Sequence, residues 1–211
     1  MDRRTKSVLH ELEKTRYQYL NICPEIGALL NIVAKAMKAE RVLEIGTANG
    51  YSTIWLADAV RGQNGKVVSV DINSEMLRLA KENLSRAGLA RYVELVHGDA
   101  LDVIPKLEGG FDLVFIDAEK SEYYQLLKLS FDKIKDNGLI VAEDVSAYRD
   151  SMRDFLSEIT SSKRLETVII PYDDGISLSY KLASSISTYV ERDEADNRGP
   201  ESDSNHGKHT C

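Results

Sequence analysis

The chain has 211 residues, 43% of them hydrophobic and 29% charged, which suits a water-soluble α/β domain large enough to bury a sizeable core. No apolar run approaches the ~20 residues of a membrane helix, the N-terminus MDRRTKSVLHELEK lacks the apolar stretch of a secretory signal, and Cys23 and Cys211 give neither a disulfide framework nor zinc spacing, so a cytoplasmic protein without membrane attachment is expected. Of the net charge of −7, residues 184–211 hold −3 and the rest −4, which argues against broad nucleic-acid binding, since that needs clustered Lys and Arg.

Residues 5–20 read as an amphipathic helix with Val8, Leu9, Leu12 and Leu20 on one side. Arg3, Arg4, Lys6, Lys14 and Arg16 make this the most basic segment, and a solvated helix face explains them. Asn21-Ile-Cys-Pro24 breaks the pattern. Pro24 suits the first turn of a second helix, where its missing N–H costs nothing. Ile26, Leu29, Leu30, Ile32, Val33, Ala36 and Met37 follow at helical spacing. Residues 1–40 are therefore an N-terminal addition packed on the core, placed to cover a site at the strand ends.

From residue 41 the alternation is regular. Strands are predicted at 41–45, 66–71, 91–97, 111–117, 138–143, 165–171 and 176–182, with helices at 51–61, 74–87, 100–107, 121–135 and 148–160. Gly88 is placed to end one helix and Ser121 to cap the start of another. Residues 113–116 are a continuous apolar run and 67–70 one interrupted only by Ser69, as parallel strands covered on both faces require. The pattern predicts an α/β fold over 41–183 with a doubly wound, mostly parallel seven-stranded sheet. Its end is an antiparallel hairpin turning at Tyr172-Asp-Asp-Gly175. Residues 184–211 are almost free of apolar side chains and are expected to be a disordered tail, with His206 and His209 solvated.

The chemistry is concentrated in residues 41–53, RVLEIGTANGYST. A strand ends near Glu44, a turn carries Gly46 and Gly50, and a helix begins, which is the first unit of a doubly wound sheet. Taken alone, the two glycines only permit a tight turn. The spacing Glu44-x-Gly46-x-x-x-Gly50 lacks the middle glycine of a dinucleotide fingerprint. Asp71 ends the second strand, where an acid can accept from both ribose hydroxyls. Asp99 ends the third, within reach of an adenine amino group. No basic cluster awaits a pyrophosphate, so an adenosine bearing a sulfonium fits better.

These stretches resemble the class I S-adenosylmethionine methyltransferases, and within them the caffeoyl-CoA and catechol O-methyltransferase-like family. The resemblance covers residues 23–182 and rests on LEIGTANGYS (43–52), VVSVDI (67–72), HGDA (97–100), FDLVFIDAEKSEYY (111–124), GLIVAED (138–144) and PYDDGISLSYK (171–181). It implies a Rossmann-like methyltransferase fold and S-adenosylmethionine contacts from Glu44, Gly46, Thr47, Gly50, Ser52, Asp71, Asp99 and Ala100. It further implies Asp117 as a metal ligand lying beside the cofactor, and Lys120 as the lysine that orients or deprotonates an acceptor hydroxyl.

In the family an Asp-Asn pair normally completes the metal site. An ungapped alignment puts Glu143 and Asp144 there, giving three carboxylates with Asp117; a one-residue gap would instead place Asp144 and Val145. Hard oxygen ligands suit magnesium first, or manganese or calcium. The loop that follows is shortened to Val145-Ser-Ala-Tyr-Arg149, which alters the acceptor pocket. The resemblance implies O-methylation of a small catechol-like or vicinal-hydroxyl acceptor, by a homodimer. A hydroxylated tRNA base is an alternative acceptor, and a non-catalytic S-adenosylmethionine-binding protein is an alternative from another class. Trp55 and His97 are expected to be structural.

Overall fold

The fold is seen in a computed structural model that describes residues 1–183. The tail predicted at 184–211, with His206, His209 and Cys211, lies outside the described residues. At the N-terminus, α1 (Arg3–Glu13) is capped by the Asp2 carboxylate, which accepts from the Thr5 N–H at 2.9 Å. The single helix predicted over 5–20 is in fact two, because α2 (Arg16–Tyr19) is a separate turn. The Thr15 hydroxyl donates to the Leu12 carbonyl at 3.1 Å, and the N–H groups of Lys14 and Thr15 turn to carbonyls three residues back. That hydroxyl competes with the helical ladder and ends it. Leu20, expected on the buried side, closes α2 in a left-handed conformation (φ 53°) and is 84% exposed.

Pro24 does occupy the first position of α3 (Pro24–Ala36). This helix lies against α4 (Tyr51–Val60), and the contact is fixed by polar groups as well as apolar ones. Asn31 Nδ2 donates to the Trp55 carbonyl (2.7 Å), while Lys35 and Arg61 both pair with the buried Asp58 carboxylate at 2.8 Å. Trp55 packs over Gly27, where any Cβ would come within 2.3 Å of the indole nitrogen.

The strands are β1 (Arg41–Ile45), β2 (Lys66–Asp71), β3 (Val93–His97), β4 (Phe111–Ile116), β5 (Ile134–Ala142), β6 (Leu165–Ile170) and β7 (Ile176–Lys181). They form one seven-stranded sheet in the order β3-β2-β1-β4-β5-β7-β6. The first five are parallel, and β7 runs antiparallel between β5 and β6. Successive residues of the central strands bury on opposite faces: Val42 and Phe115 join the layer of α1, α3, α4 and α5 (Ser74–Ala87), while Leu43 and Val114 join the other. That second layer holds α6 (Ala100–Val103), α7 (Tyr123–Phe131) and α8 (Arg153–Ser161).

Three helices are shorter than predicted. Pro105, which has no N–H to donate, falls in a 3-10 turn that succeeds α6. Ser121 lies inside a 3-10 turn at 120–122, and Glu122 takes the position before α7. The segment 144–152 is a series of turns, so α8 starts at Arg153 rather than 148. Among the described residues no helix is long and apolar enough to cross a membrane.

Candidate active site

The carboxyl ends of the central strands are level, and the segments leaving them are pinned to their neighbours. Gly46 N–H donates to the Val70 carbonyl (2.9 Å), Asp117 N–H to Ile45 (2.9 Å) and Glu143 N–H to Ile116 (3.1 Å). Gly46 has φ 99°, and a Cβ there would lie 1.8 Å from the Asp117 carbonyl oxygen. Only glycine allows β1 and β4 to release their chains this close together. Asp71 holds the turn that follows: its Oδ2 accepts from Thr47 N–H (3.0 Å) and Ala48 N–H (2.8 Å), and its Oδ1 from Asn73 N–H (2.8 Å). A carboxylate offers about four acceptor directions, so one remains for a ligand. Asp99 spends Oδ1 on the Leu101 N–H at the start of α6 (2.8 Å).

A cavity of about 850 Å³ opens over these ends, within the range of small-molecule sites. On one side it brings together Gly46, Thr47, Ser52, Asp71, Asp99 and Ala100, all selected from the sequence. On the other side stand Asp117, Lys120, Glu143 and Asp144. Glu44 and Gly50 do not line it. Gly50 precedes α4 and packs against Ala80, and Glu44 is fully buried behind the turn. Thr53 and Ser69 donate to Oε2 of the Glu44 carboxylate, yet burial still pushes the acid up to about 7. Its Oε1 has no partner. His97 is structural, with Nε2 donating to the Ile72 carbonyl at 3.1 Å.

Ligand oxygens of Asp117, Glu143 and Asp144 all lie within 4.8 Å of one another. Lys120 reaches into the group, 2.6 Å from Asp144 Oδ2 and 3.1 Å from Asp117 Oδ1, and also donates to the Tyr123 hydroxyl at 3.1 Å. Burial raises the Glu143 acid well above its ordinary range, and the neighbouring Asp144 and Asp117 carboxylates add to this. Burial raises Asp117 too. For Lys120, burial works toward a lower value, but the carboxylates of Asp117 and Asp144 outweigh it, so the ammonium is held charged. Asp144 has φ 65°, a conformation uncommon outside glycine that turns its carboxylate toward the group. Val145 points into the core, 1% exposed. Three converging hard oxygen donors fit a divalent cation of the magnesium, manganese or calcium type.

The remaining wall was not apparent in the sequence. Tyr17 (86% exposed) and Leu20 stand on the α2 side, and Tyr148 faces them from the short loop after β5. Arg16 forms an ion pair with Asp173 of the β6–β7 turn, tying α2 across the mouth. The same turn anchors the loop: Ser146 N–H (2.9 Å) and Ala147 N–H (3.0 Å) donate to the Asp174 carbonyl. Ile72, 68% exposed beside Asp71, carried the one usable signal, an apolar side chain just past a strand with no core position to fill.

The sequence profile of a family described as O-methyltransferase matches residues 3–182. A catechol O-methyltransferase of Mycobacterium tuberculosis (strain ATCC 25618 / H37Rv) is 44% identical over 120 residues, covering 56% of this chain and 54% of that protein. The chain thus spans about half the length of that relative. Among solved structures, cofactor-bound Rv0187 from MTB superposes with a TM-score of 0.77 at 30% identity, covering 85% of this chain and 90% of that one. The O-methyltransferase TomG of Streptomyces achromogenes, involved in tomaymycin synthesis and solved in complex with SAM, gives 0.76 at 25% identity over 87% of this chain and 91% of that one.

Proposed function

Because the chain belongs to the O-methyltransferase family, we propose that it moves the methyl group of S-adenosylmethionine onto one hydroxyl of a small catechol-like or vicinal-hydroxyl acceptor. The observation that carries this reading is the meeting, in one cavity, of Asp71 and Asp99 with the Asp117, Lys120, Glu143 and Asp144 group. The first pair suits an adenosine, the second group a hydroxylated acceptor. Among the described residues both cations lining the cavity, Arg16 and Lys120, are neutralised by carboxylates, so no free cation there favours a pyrophosphate. A sulfonium-bearing adenosine fits that environment.

When bound, S-adenosylmethionine would supply an electrophilic methyl group, and Asp117, Glu143 and Asp144 would hold a divalent ion, whose chemistry would be to lower the pKa of a neighbouring hydroxyl. The protein's part is placement. Asp99 presents its Oδ2 and Asp71 its one remaining acceptor direction to the nucleoside, and the close approach at Gly46 brings the β1 turn beside Asp117. Lys120, held charged by Asp117 and Asp144, sets a positive charge beside the acceptor oxygen, and its three N–H groups are given to Asp117, Asp144 and Tyr123 until one of these partners turns away. Fixing two reactants in line can remove several kcal/mol from a barrier. The acidic cavity gives no support to tRNA, whose phosphates need unpaired cations. A homodimer is part of the proposal, supported by Val168 and Tyr180 exposed along the β6–β7 edge (53% and 37%). Light scattering against the chain mass of 23.6 kDa tests it.

The decisive assay supplies methyl-labelled S-adenosylmethionine, catechol and magnesium. Labelled 2-methoxyphenol is expected, with loss of at least about 100-fold in Asp117→Asn or with chelator. A chelated enzyme that keeps its full rate would remove the metal from the proposal. Cofactor binding with no transfer to catechol or any other vicinal diol would favour the non-catalytic alternative.

A further inference from the structure

The mouth of the cavity carries a carboxylate that methyl transfer does not use. Among the described residues eight acidic side chains and two basic ones line the cavity. Both basic groups are engaged, Arg16 by Asp173 and Lys120 by Asp117 and Asp144. A cosubstrate of one net positive charge and a divalent ion would still leave negative charge in excess. Most of the acids have assigned work in the cavity: Asp71 and Asp99 bond backbone N–H groups, and Asp117, Glu143 and Asp144 form the central group. Asp174 differs. It is exposed at the rim, and its carboxylate meets no partner among the described residues.

Its position is nevertheless fixed. The Asp174 carbonyl takes the N–H groups of Ser146 and Ala147 (2.9 and 3.0 Å), and the next residue, Gly175 (φ 91°), has its Cα so close to Ser146 that a Cβ would lie 2.1 Å from Oγ. The turn cannot move away from the loop that carries Tyr148. Tyr148 and Tyr17 add aromatic surface to the same end of the cavity, and the Lys120 ammonium already lies 5.9 Å from the Tyr148 ring centre. An aromatic face favours a cation, and an unpaired carboxylate in an acidic mouth favours one more strongly.

Resting on the methyl-transfer reading above, we propose that Asp174 is a specificity-determining residue, selecting acceptors whose ring substituent ends in a cation such as a protonated amine and disfavouring those that end in a carboxylate or phosphate. The hydroxyls of such an acceptor go to the Asp117–Lys120–Asp144 end, and the substituent extends to the mouth.

The test compares three acceptors: unsubstituted catechol, its 4-(2-aminoethyl) derivative and its 4-(2-carboxyethyl) derivative. With S-adenosylmethionine saturating, kcat/KM for the amine should exceed that for the carboxylate by about tenfold. Added salt should reduce the ratio. Asp174→Asn should cut the amine's advantage by about 5-fold through KM, leaving kcat and the rate with plain catechol unchanged. Asp174→Lys should turn the preference toward the carboxylate. Calorimetry on the S-adenosylhomocysteine complex reads the same ratio as binding, without turnover. Equal values for amine and carboxylate in the unaltered enzyme would overturn the proposal, as would a ratio unmoved in both variants at unchanged melting temperature. If binding shows the charge preference but no catechol is methylated, charge selection stands and the transfer reading fails.

Discussion

Glu44 places an ionisable group where no water reaches it. Its acid is pushed up to about 7 by burial, against an unfolded value near 4.5. Between those values the folded chain keeps a proton that the unfolded chain has released. Stability therefore falls as pH rises through this window, by up to about 3 kcal/mol. Glu44→Gln removes that dependence. The melting temperature of the variant should be nearly level relative to the unaltered protein from about pH 5 to about pH 8, where the unaltered protein loses several degrees. Parallel curves for the two would show that Glu44 is ionised in the fold. The sequence marked Glu44 through its place beside Gly46, but not its surroundings: a residue expected at the ligand is buried behind the turn and does not line the cavity. Asp71 is the reverse case. Its position at a strand end was readable, and its three backbone hydrogen bonds to the β1 turn and beyond were not.

At the scale of the element, the strands and their mostly parallel arrangement were plain in the chain, because apolar runs and glycine turns encode them locally; their order in the sheet came from the structure. Helix ends were less so. Thr15 divides the first helix with one side-chain hydrogen bond, and Pro105 converts the end of another to a 3-10 turn. The outer wall of the cavity was legible only in outline, as an N-terminal addition covering the strand ends and a shortened loop after Asp144, since Tyr17, Tyr148 and Asp174 come from three separate segments joined by the Arg16–Asp173 pair and the Asp174 carbonyl. The β1–α4 turn is the element on which the site depends. Gly46→Ala forces a Cβ to within 1.8 Å of the Asp117 carbonyl at a φ of 99°. It should cost at least about 2 kcal/mol, lower the melting temperature by about 5 °C and weaken cofactor binding. Gly62→Ala, with nothing within 4 Å, is the control and should leave both unchanged. An equally mild effect at Gly46 would mean that the turn yields without loss.

At the scale of the whole molecule, a seven-stranded sheet delivers one side chain after another to a common edge, and an N-terminal helical layer closes over it. The central claim is that this edge binds the adenosyl part of S-adenosylmethionine. A ligand bound only by the folded state stabilises it by RT ln(1 + [L]/Kd), about 2.7 kcal/mol at a hundredfold excess over Kd. For a domain of this size that is a rise of about 5–10 °C. The most direct test is the melting temperature with millimolar S-adenosylhomocysteine and, separately, with NAD. The account predicts a rise of that size with S-adenosylhomocysteine, reduced in Asp99→Ala, and none with NAD. A melting temperature unmoved by S-adenosylhomocysteine but raised by NAD would contradict it.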